Sequence, residues 1–302
     1  MEKYLLGIDL GGTNLRIAVV TLEGQIIEEL HVTTESDRGP HYVINQMIQL
    51  CEGILQKRNI EAIGIGSPGP LDLRQGLILS PNNLPGWDRI PLVEVLEKAL
   101  LKKVVLDNDA NAAALAEAMI GAGKGKESVF YITVSTGIGG GFVYRNQLIQ
   151  GAHFCAGEVG NMIMDRDGPP HPALNIGSLE TLASGTAVKR HGKEKLGITG
   201  HAGEVFAMAM QGEKEAVVIV EQMVASLAKG IANVVHTVDP HIIVLGGGVM
   251  QSKEYLMPLL LEKVNDYLYP QLRKKVQIEC ASLGTKAGVI GAALLTQQTW
   301  LQ

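Results

Sequence analysis

The chain is short of several things, and each shortage narrows what it can be. Cysteine occurs three times, at Cys51, Cys155 and Cys280, too few and too scattered for a disulfide framework or a thiolate-rich metal site. That usage suits a reducing compartment, so a cytoplasmic location is expected. Positive charge is also scarce: 26 Lys and Arg stand against 31 Asp and Glu, a formal charge of -5. Binding to nucleic acid needs clustered cations that displace counterions, so no nucleic-acid partner is expected. No run reaches the roughly 20 apolar residues of a membrane span. The opening MEKYLLGIDLGG lacks a basic stretch followed by a long apolar one, so neither a signal peptide nor a membrane partner is expected. The eight histidines form no HExxH pair, and GxxxxGK[ST] does not occur, which excludes a P-loop enzyme. What remains is 302 residues with 46% hydrophobic and 19% charged side chains, ample for a packed core in one large domain or two lobes.

Glycine, by contrast, occurs 36 times, well above the usual share of roughly 7%. Its placement follows an alternation of strands and helices. Apolar runs at 4–9, 16–20, 62–66, 104–106, 129–134, 242–245 and 276–280 read as strands. Stretches with apolar residues at helical spacing, 42–55, 110–120, 216–238, 256–268 and 287–295, read as helices. This alternation predicts an α/β fold with mixed sheets. The segment Gly121–Lys126, GAGKGK, is the candidate lobe boundary. Residues 5–20 and 130–144 share a plan of strand, Gly/Thr-rich turn and strand. Two such copies suggest two similar lobes, although echoes of this length also arise by chance.

Three glycine clusters are candidate ligand loops. In Asp9-Leu10-Gly11-Gly12-Thr13-Asn14, unblocked amides and the Thr13 hydroxyl suit a phosphate, and Asp9 suits Mg2+. A plain tight hairpin is the competing reading. Ser135-Thr136-Gly137-Ile138-Gly139-Gly140-Gly141 is richer in Gly, Ser and Thr than a hairpin requires. Gly246-Gly247-Gly248 follows a buried strand, where α/β sheets receive ligands. Gly64-Ile65-Gly66-Ser67-Pro68-Gly69 matches GxGxxG, but Pro68 and Pro70 oppose the helix that a dinucleotide site needs.

The sharpest single candidate is Asp109, in Asp107-Asn108-Asp109-Ala110-Asn111, at the junction of a strand and an Ala-rich helix. Helix capping explains one such residue. An Asp at a strand's C-terminal edge is also placed to take a proton from a hydroxyl during phosphoryl transfer. Glu158, Asn161 and Glu180 stand in small-residue stretches that suit the gripping of sugar hydroxyls, or are ordinary surface groups. Trp87 is core or an apolar wall, and Cys155 reads as an inert thiol.

Taken in order, DLGGTN, SPGPLD, NNLPGW, NDANAAALAE, STGIGGG, GEVGN, ETLASGTA and LGGGV resemble the ROK family of sugar kinases and related repressors, from Gly7 to about Ala292. The resemblance implies an actin-like ATPase (ribonuclease H-like) fold of two α/β lobes with a central cleft. Residues 1–120, completed by a C-terminal helix in 285–302, would form one lobe and 121–284 the other. It implies Asp109 as general base, with Asn83, Asn108, Glu158, Asn161 and Glu180 at the sugar. Asp9, Gly11, Gly12, Thr13, Asn14, Thr136 and Gly137 would serve Mg2+ and the phosphates, and Gly246 and Gly247 would lie beside the adenosine. ATP and a hexose are the implied ligands, with glucose phosphorylated at its 6-hydroxyl as the first expectation and a homodimer as the assembly. A kinase for N-acetylmannosamine, fructose, allose or a β-glucoside, and a sugar-sensing regulator, are the alternatives. The family's repressors carry a DNA-binding segment ahead of the first glycine motif; here eight residues precede Asp9. The family's structural zinc is held by His and Cys residues, whereas this chain has Asn161, His171, Ala173 and Ser178 at those places. No zinc is therefore expected.

Overall fold

The computed structural model describes residues 2–298, which divide into two units. Unit 1 comprises residues 1–124, 146–154 and 285–302, and unit 2 comprises 125–145 and 155–284. The first boundary thus falls four residues beyond the expected one. Residues 146–154 lie with unit 1, because their hydrogen bonds run to Asp107, Arg74 and Gln298.

In chain order, unit 1 opens with an antiparallel meander of β1 (Tyr4–Leu10), β2 (Asn14–Val20) and β3 (Ile26–Thr33). Helix α1 (Pro40–Leu55) follows, then β4 (Ile60–Ser67) and the short pair β5 (Leu71–Asp72) and β6 (Leu77–Ile78). Helix α2 (Leu92–Leu100), β7 (Lys103–Asn108) and α3 (Asp109–Met119) complete the first stretch. The sheet order is β3-β2-β1-β4-β7, with β1, β4 and β7 parallel. Pro40 starts α1, where a missing N–H costs nothing. Val43, Ile44, Met47, Cys51 and Ile54 recur every three or four residues and bury one face of that helix. Trp87 belongs to the same core, which settles it as packing rather than a ligand wall.

Unit 2 begins with the hairpin of β8 (Ser128–Val134) and β9 (Ile138–Tyr144). The chain then passes β10 (Gln147–Ile149), in the segment grouped with unit 1, and returns. Helices α4 (Leu179–Ala183), α5 (Gly185–Leu196), α6 (Ala202–Met210) and α7 (Lys214–Val238) lead to β11 (Ile242–Gly246). Helix α8 (Lys253–Tyr267) and β12 (Ile278–Cys280) follow. Strands β9, β8, β11 and β12 lie in that order, the last three parallel. Each unit therefore joins an antiparallel hairpin to parallel strands, as the sequence echo suggests.

Among the described residues, α7 is long and apolar enough to span a membrane, a property that run length misses because charges interrupt it. Its apolar face, including Ile219, Met223, Leu227 and Ile231, packs within unit 2's core. The last helix, α9 (Ala287–Leu295), is apolar almost all round and belongs to unit 1. It crosses the sheet so closely that a side chain at Gly64 would overlap the Ala292 carbonyl. Gly64, in the GxGxxG match, thus serves helix packing rather than a nucleotide.

Candidate functional site

In unit 1 the candidate residues gather at the C-terminal edge of the parallel strands. Asp9 on β1 pairs in register with Gly66 on β4, and Gly66 with Asp107 on β7. This is the edge at which open α/β sheets receive ligands. The first glycine turn follows Asp9 directly: the Gly11 N–H donates to the Asn14 carbonyl at 2.9 Å. The Thr34 hydroxyl donates to the Gly11 carbonyl at 2.7 Å, and the Thr34 N–H to the Thr13 carbonyl at 2.9 Å. Thr13 and Asn14 are exposed, and the Asn14 side-chain oxygen lies 3.0 Å from His31 Nε2. Gly12 lies under the Asn83 backbone so tightly that a methyl group there would overlap the Asn83 carbonyl. Asn83, far from the turn in sequence, is thereby placed beside it.

Asp9 is half-buried and faces Arg16 across the β1–β2 ladder. Burial, and then the charge of Asp109, push its carboxyl up to about 6, with Arg16 pulling back. Arg16 itself donates to the Thr285 carbonyl. The start of α9 closes over Asp9, since a methyl group at Gly288 would sit 2.8 Å from Asp9 Oδ2.

Asn108 and Asp109 occupy the turn from β7 into α3. Asn108 is the N-cap, its side-chain oxygen accepting from the Ala110 N–H at 2.9 Å. The capping reading is thus true of Asn108, and its amide nitrogen is the part left to serve a ligand. One oxygen of Asp109 accepts from the same N–H at 2.7 Å. Asp109 keeps an open face to solvent, yet the protein crowded around it raises its carboxyl above the ordinary range, against its backbone hydrogen bonds. Exposure decides whether a substrate can reach it; crowding decides its proton affinity.

Unit 2 gathers a second set. In the turn between β8 and β9, the Ser135 N–H donates to the Gly137 carbonyl at 2.8 Å. The start of α5 holds the same turn: the Gly185 N–H donates to the Ser135 carbonyl and the Thr186 hydroxyl to the Thr136 carbonyl, each at 2.7 Å. Glu180 lies against it, one carboxylate oxygen accepting from the Ile138 N–H at 2.7 Å. A methyl group at Gly137 would meet that oxygen at 2.5 Å, and one at Gly160 would lie 3.5 Å from it. Glu158 is exposed and precedes the short helical turn Val159–Asn161. Thr136, Gly137, Gly160 and Glu180 are therefore one cluster, with Glu158 two residues from it in the chain. Gly247 has φ of 91°, where a side chain is strained, and it lies on the Val134 backbone at the end of β8. Gly246 ends β11 opposite Thr133, under the Tyr131 ring. Gly139, Gly140 and Gly141 are a correction: they lie within β9, paired with Thr133, Ile132 and Tyr131. A side chain at Gly140 would strike the Gly157 carbonyl at 2.8 Å, so backbone packing accounts for that glycine.

The Asn161 side-chain oxygen accepts from the Asn175 N–H at 2.8 Å, tying the two ends of the 161–178 loop. The Met164 N–H donates to the Gly177 carbonyl, and the Leu179 N–H to the Met162 carbonyl, across the same loop. His171 Nδ1 accepts from the Ala173 N–H at 3.2 Å. Ser178 is buried, with its hydroxyl at Thr181. Asn161, Ala173 and Ser178 are not a zinc donor set. Among the described residues no three His, Cys, Asp or Glu side chains group as a metal site.

Sequence reasoning passed over Arg16, Gly288, Asp107 and Gln150. Asp107 was visible beside NDAN. Gly288 and Gln150 act through partners too remote in sequence to leave a local signal, and Arg16 meets Asp9 only once the β1–β2 ladder is formed.

The family model described as the ROK family matches residues 5–299. A glucokinase of Thermotoga maritima is 32% identical, the match covering 97% of each chain. An N-acetylmannosamine kinase of Escherichia coli is also 32% identical, over 97% of this chain and 98% of that one. The crystal structure of a ROK hexokinase from Thermus thermophilus superimposes with a TM-score of 0.89 at 36% identity, covering 97% of each chain. A ROK glucokinase from Streptomyces griseus, solved with glucose and AMPPNP, gives a TM-score of 0.81 at 30% identity, over 96% of this chain and 98% of that one. The fold is that of these actin-like ATPase relatives, and the chain belongs to the ROK family.

Proposed function

We propose that this chain transfers the γ-phosphoryl group of ATP to the 6-hydroxyl of a hexose, glucose first, with Asp109 removing the hydroxyl proton. It is an ATP-dependent sugar kinase of the ROK family. The observation that carries the finer reading is Asp109 itself. Its carboxylate stands at the C-terminal edge of β7, open to solvent, with its proton affinity raised by crowding. A base matched more closely to neutral pH is the more effective catalyst.

The neighbouring groups have roles that follow from their chemistry. The amide nitrogen of Asn108 and the side chains of Asn83, Glu158 and Glu180 offer hydrogen bonds to sugar hydroxyls, those to carboxylates being the stronger. The Gly11–Thr13 turn and the Thr136–Gly137 turn offer N–H groups and hydroxyls to phosphate oxygens. Gly246 and Gly247, packed on Tyr131 and the Val134 backbone, would present main chain to the adenosine. Asp9 suits Mg2+, which would neutralise phosphate charge when bound. The charge of Asp109 adds to the burden on Asp9, with Arg16 the opposing cation, and Mg2+ typically takes one or two carboxylates alongside substrate phosphates.

An ADP-release assay over a panel of sugars tests the reading. Glucose is expected to give the highest kcat/KM, and mass spectrometry of the product to place phosphate on the 6-hydroxyl. A second reading, an N-acetylmannosamine kinase, gains support from the 32% identity to the Escherichia coli kinase of that name, and Asn161, its side-chain oxygen engaged by the loop, leaves the choice of sugar open. Preference for that sugar in the panel would decide for it. Sugar binding without turnover on any member would instead favour a sensor.

We also propose that the 161–178 loop holds without zinc, closed by the Asn161–Asn175 pair and its peptide hydrogen bonds. Protein purified without added metal is expected to carry far less than one zinc per chain by elemental analysis, and EDTA to leave its melting temperature unchanged. One zinc per chain would overturn this.

A further inference from the structure

Asp107 is a fully buried carboxylate that the chemistry above does not use. Both of its oxygens are occupied by donors. Oδ1 accepts from the Asn108 N–H at 2.7 Å and from Asn111 Nδ2 at 2.8 Å. Oδ2 accepts from Gln150 Nε2 at 2.5 Å. One side chain thus joins the end of β7, the first turn of α3 and the segment 146–154. Burial raises the Asp107 carboxyl, and the bonds from Asn111, Gln150 and Asn108 pull it back.

The segment bearing Gln150 is itself pinned to unit 1. The Leu148 N–H donates to Gln298 Oε1 at 2.8 Å, and Gln298 Nε2 donates to the Asn146 carbonyl at 3.1 Å. Arg74 reaches the Ala152 carbonyl and stacks over the Phe154 ring. Gln150 therefore approaches Asp107 from an anchored backbone. On the other side, Asp107 holds the Asn108 peptide N–H while the Asn108 side chain caps α3. That N–H lies in the Asp107–Asn108 peptide, one residue ahead of the peptide that carries Asp109.

We propose that Asp107 and Gln150 are a positioning pair, fixing the Asn108–Asp109 turn from behind so that the Asp109 carboxylate meets its substrate at one angle. The pair acts through Asp109 and touches no substrate. The inference rests on the kinase reading for its kinetic consequence, but its geometric content stands apart. A misplacement of about 1 Å in a reacting group can cost on the order of a hundredfold in rate, and second-layer hydrogen bonds are what hold such groups in place.

Three variants of the full chain test it. Gln150→Ala removes one donor, and kcat is expected to fall about tenfold or more with KM for ATP within about threefold of the parent. Gln150→Glu sets two carboxylates against each other and is expected to be worse. Asp107→Asn combined with Gln150→Glu exchanges amide and carboxylate between the positions, restoring one donor facing one acceptor, and is expected to recover most of the loss. Hydrogen exchange at the Asn108 amide, measured without substrates, gives a readout independent of activity, and Gln150→Ala is expected to quicken it. Folded Gln150 variants with parental kcat, or a double variant no better than Gln150→Glu, would overturn the pair. If the parent phosphorylates no sugar, the kinase reading fails, and unchanged exchange at Asn108 would separately sink the pairing.

Discussion

Asp109→Asn is expected to lower kcat by roughly two to four orders of magnitude, the usual worth of a general base, while sugar affinity stays near that of the parent. The amide keeps the size of the carboxylate and can still accept the Ala110 N–H that one Asp109 oxygen now takes, so the turn into α3 has no reason to rearrange. What it cannot do is remove a proton. Steady-state kinetics and calorimetric titration with sugar separate the two effects. Near-normal turnover would remove Asp109 from the role, and a parallel loss of sugar binding would point to a damaged site. The parent's pH profile carries the same signature. The base must be ionised, and crowding raises its carboxyl above the ordinary range. Activity should therefore fall with decreasing pH sooner than an exposed aspartate would dictate.

The second large effect runs in opposite directions for stability and activity. Asp9→Asn is expected to make the substrate-free protein more stable at pH 7 and less active. The carboxyl of Asp9 is raised from 3.8 to about 6 by burial and by Asp109. A carboxylate raised in the folded state binds its proton more tightly there than in the unfolded chain. Its contribution to stability is therefore full below pH 3.8 and is lost as pH rises through about 6. At about 1.4 kcal/mol per pH unit, the isolated group corresponds to roughly 3 kcal/mol at neutral pH. Asn carries no such penalty, and this is the stability–activity exchange expected where a site holds uncompensated charge. Urea unfolding of parent and variant at pH 7 and pH 4 checks the sign. The variant should lead at pH 7, and its lead should shrink or vanish at pH 4. A variant less stable than the parent at pH 7 would contradict the account. In the assay, kcat should drop by about tenfold or more, since the carboxylate suited to Mg2+ is gone.

The alternation of strands and helices was legible because its signal is local. Val43, Ile44, Met47 and Cys51 announce α1 by spacing alone, and Ala287–Leu295 was read to the residue. Helices α2, α5 and α6 passed unread, although Leu92, Leu96 and Leu100 recur at helical spacing; α5 is largely polar, with few buried positions to reveal it. The glycines were legible as a surplus but not in purpose. Gly12 and Gly137 do lie against candidate site residues, Asn83 and Glu180, while Gly64 and Gly140 make room for backbone arriving from elsewhere in the chain. Composition is the same in both cases, and only the partner distinguishes them. The candidate site was legible wherever a side chain stands at a strand's end, as Asp9, Asn108 and Asp109 do. It was illegible where a group is held by something distant, as Asp107 is by Gln150.

Helix α9 has a consequence for how the protein is made. It packs against Leu5, Ala18 and Val20 of the first two strands, yet in the chain it follows both stretches of unit 2. Until it arrives, the patch of Leu5, Ala18 and Val20 lacks its cover, although β1, β2 and β4 have long since left the ribosome. Unit 1 therefore cannot finish folding in the order in which it is translated, and unit 2, complete by Gly284, has the earlier opportunity. A chain interrupted before Ala287 would leave the Leu5, Ala18 and Val20 patch bare to chaperones and proteases, so α9 acts as a late seal on unit 1.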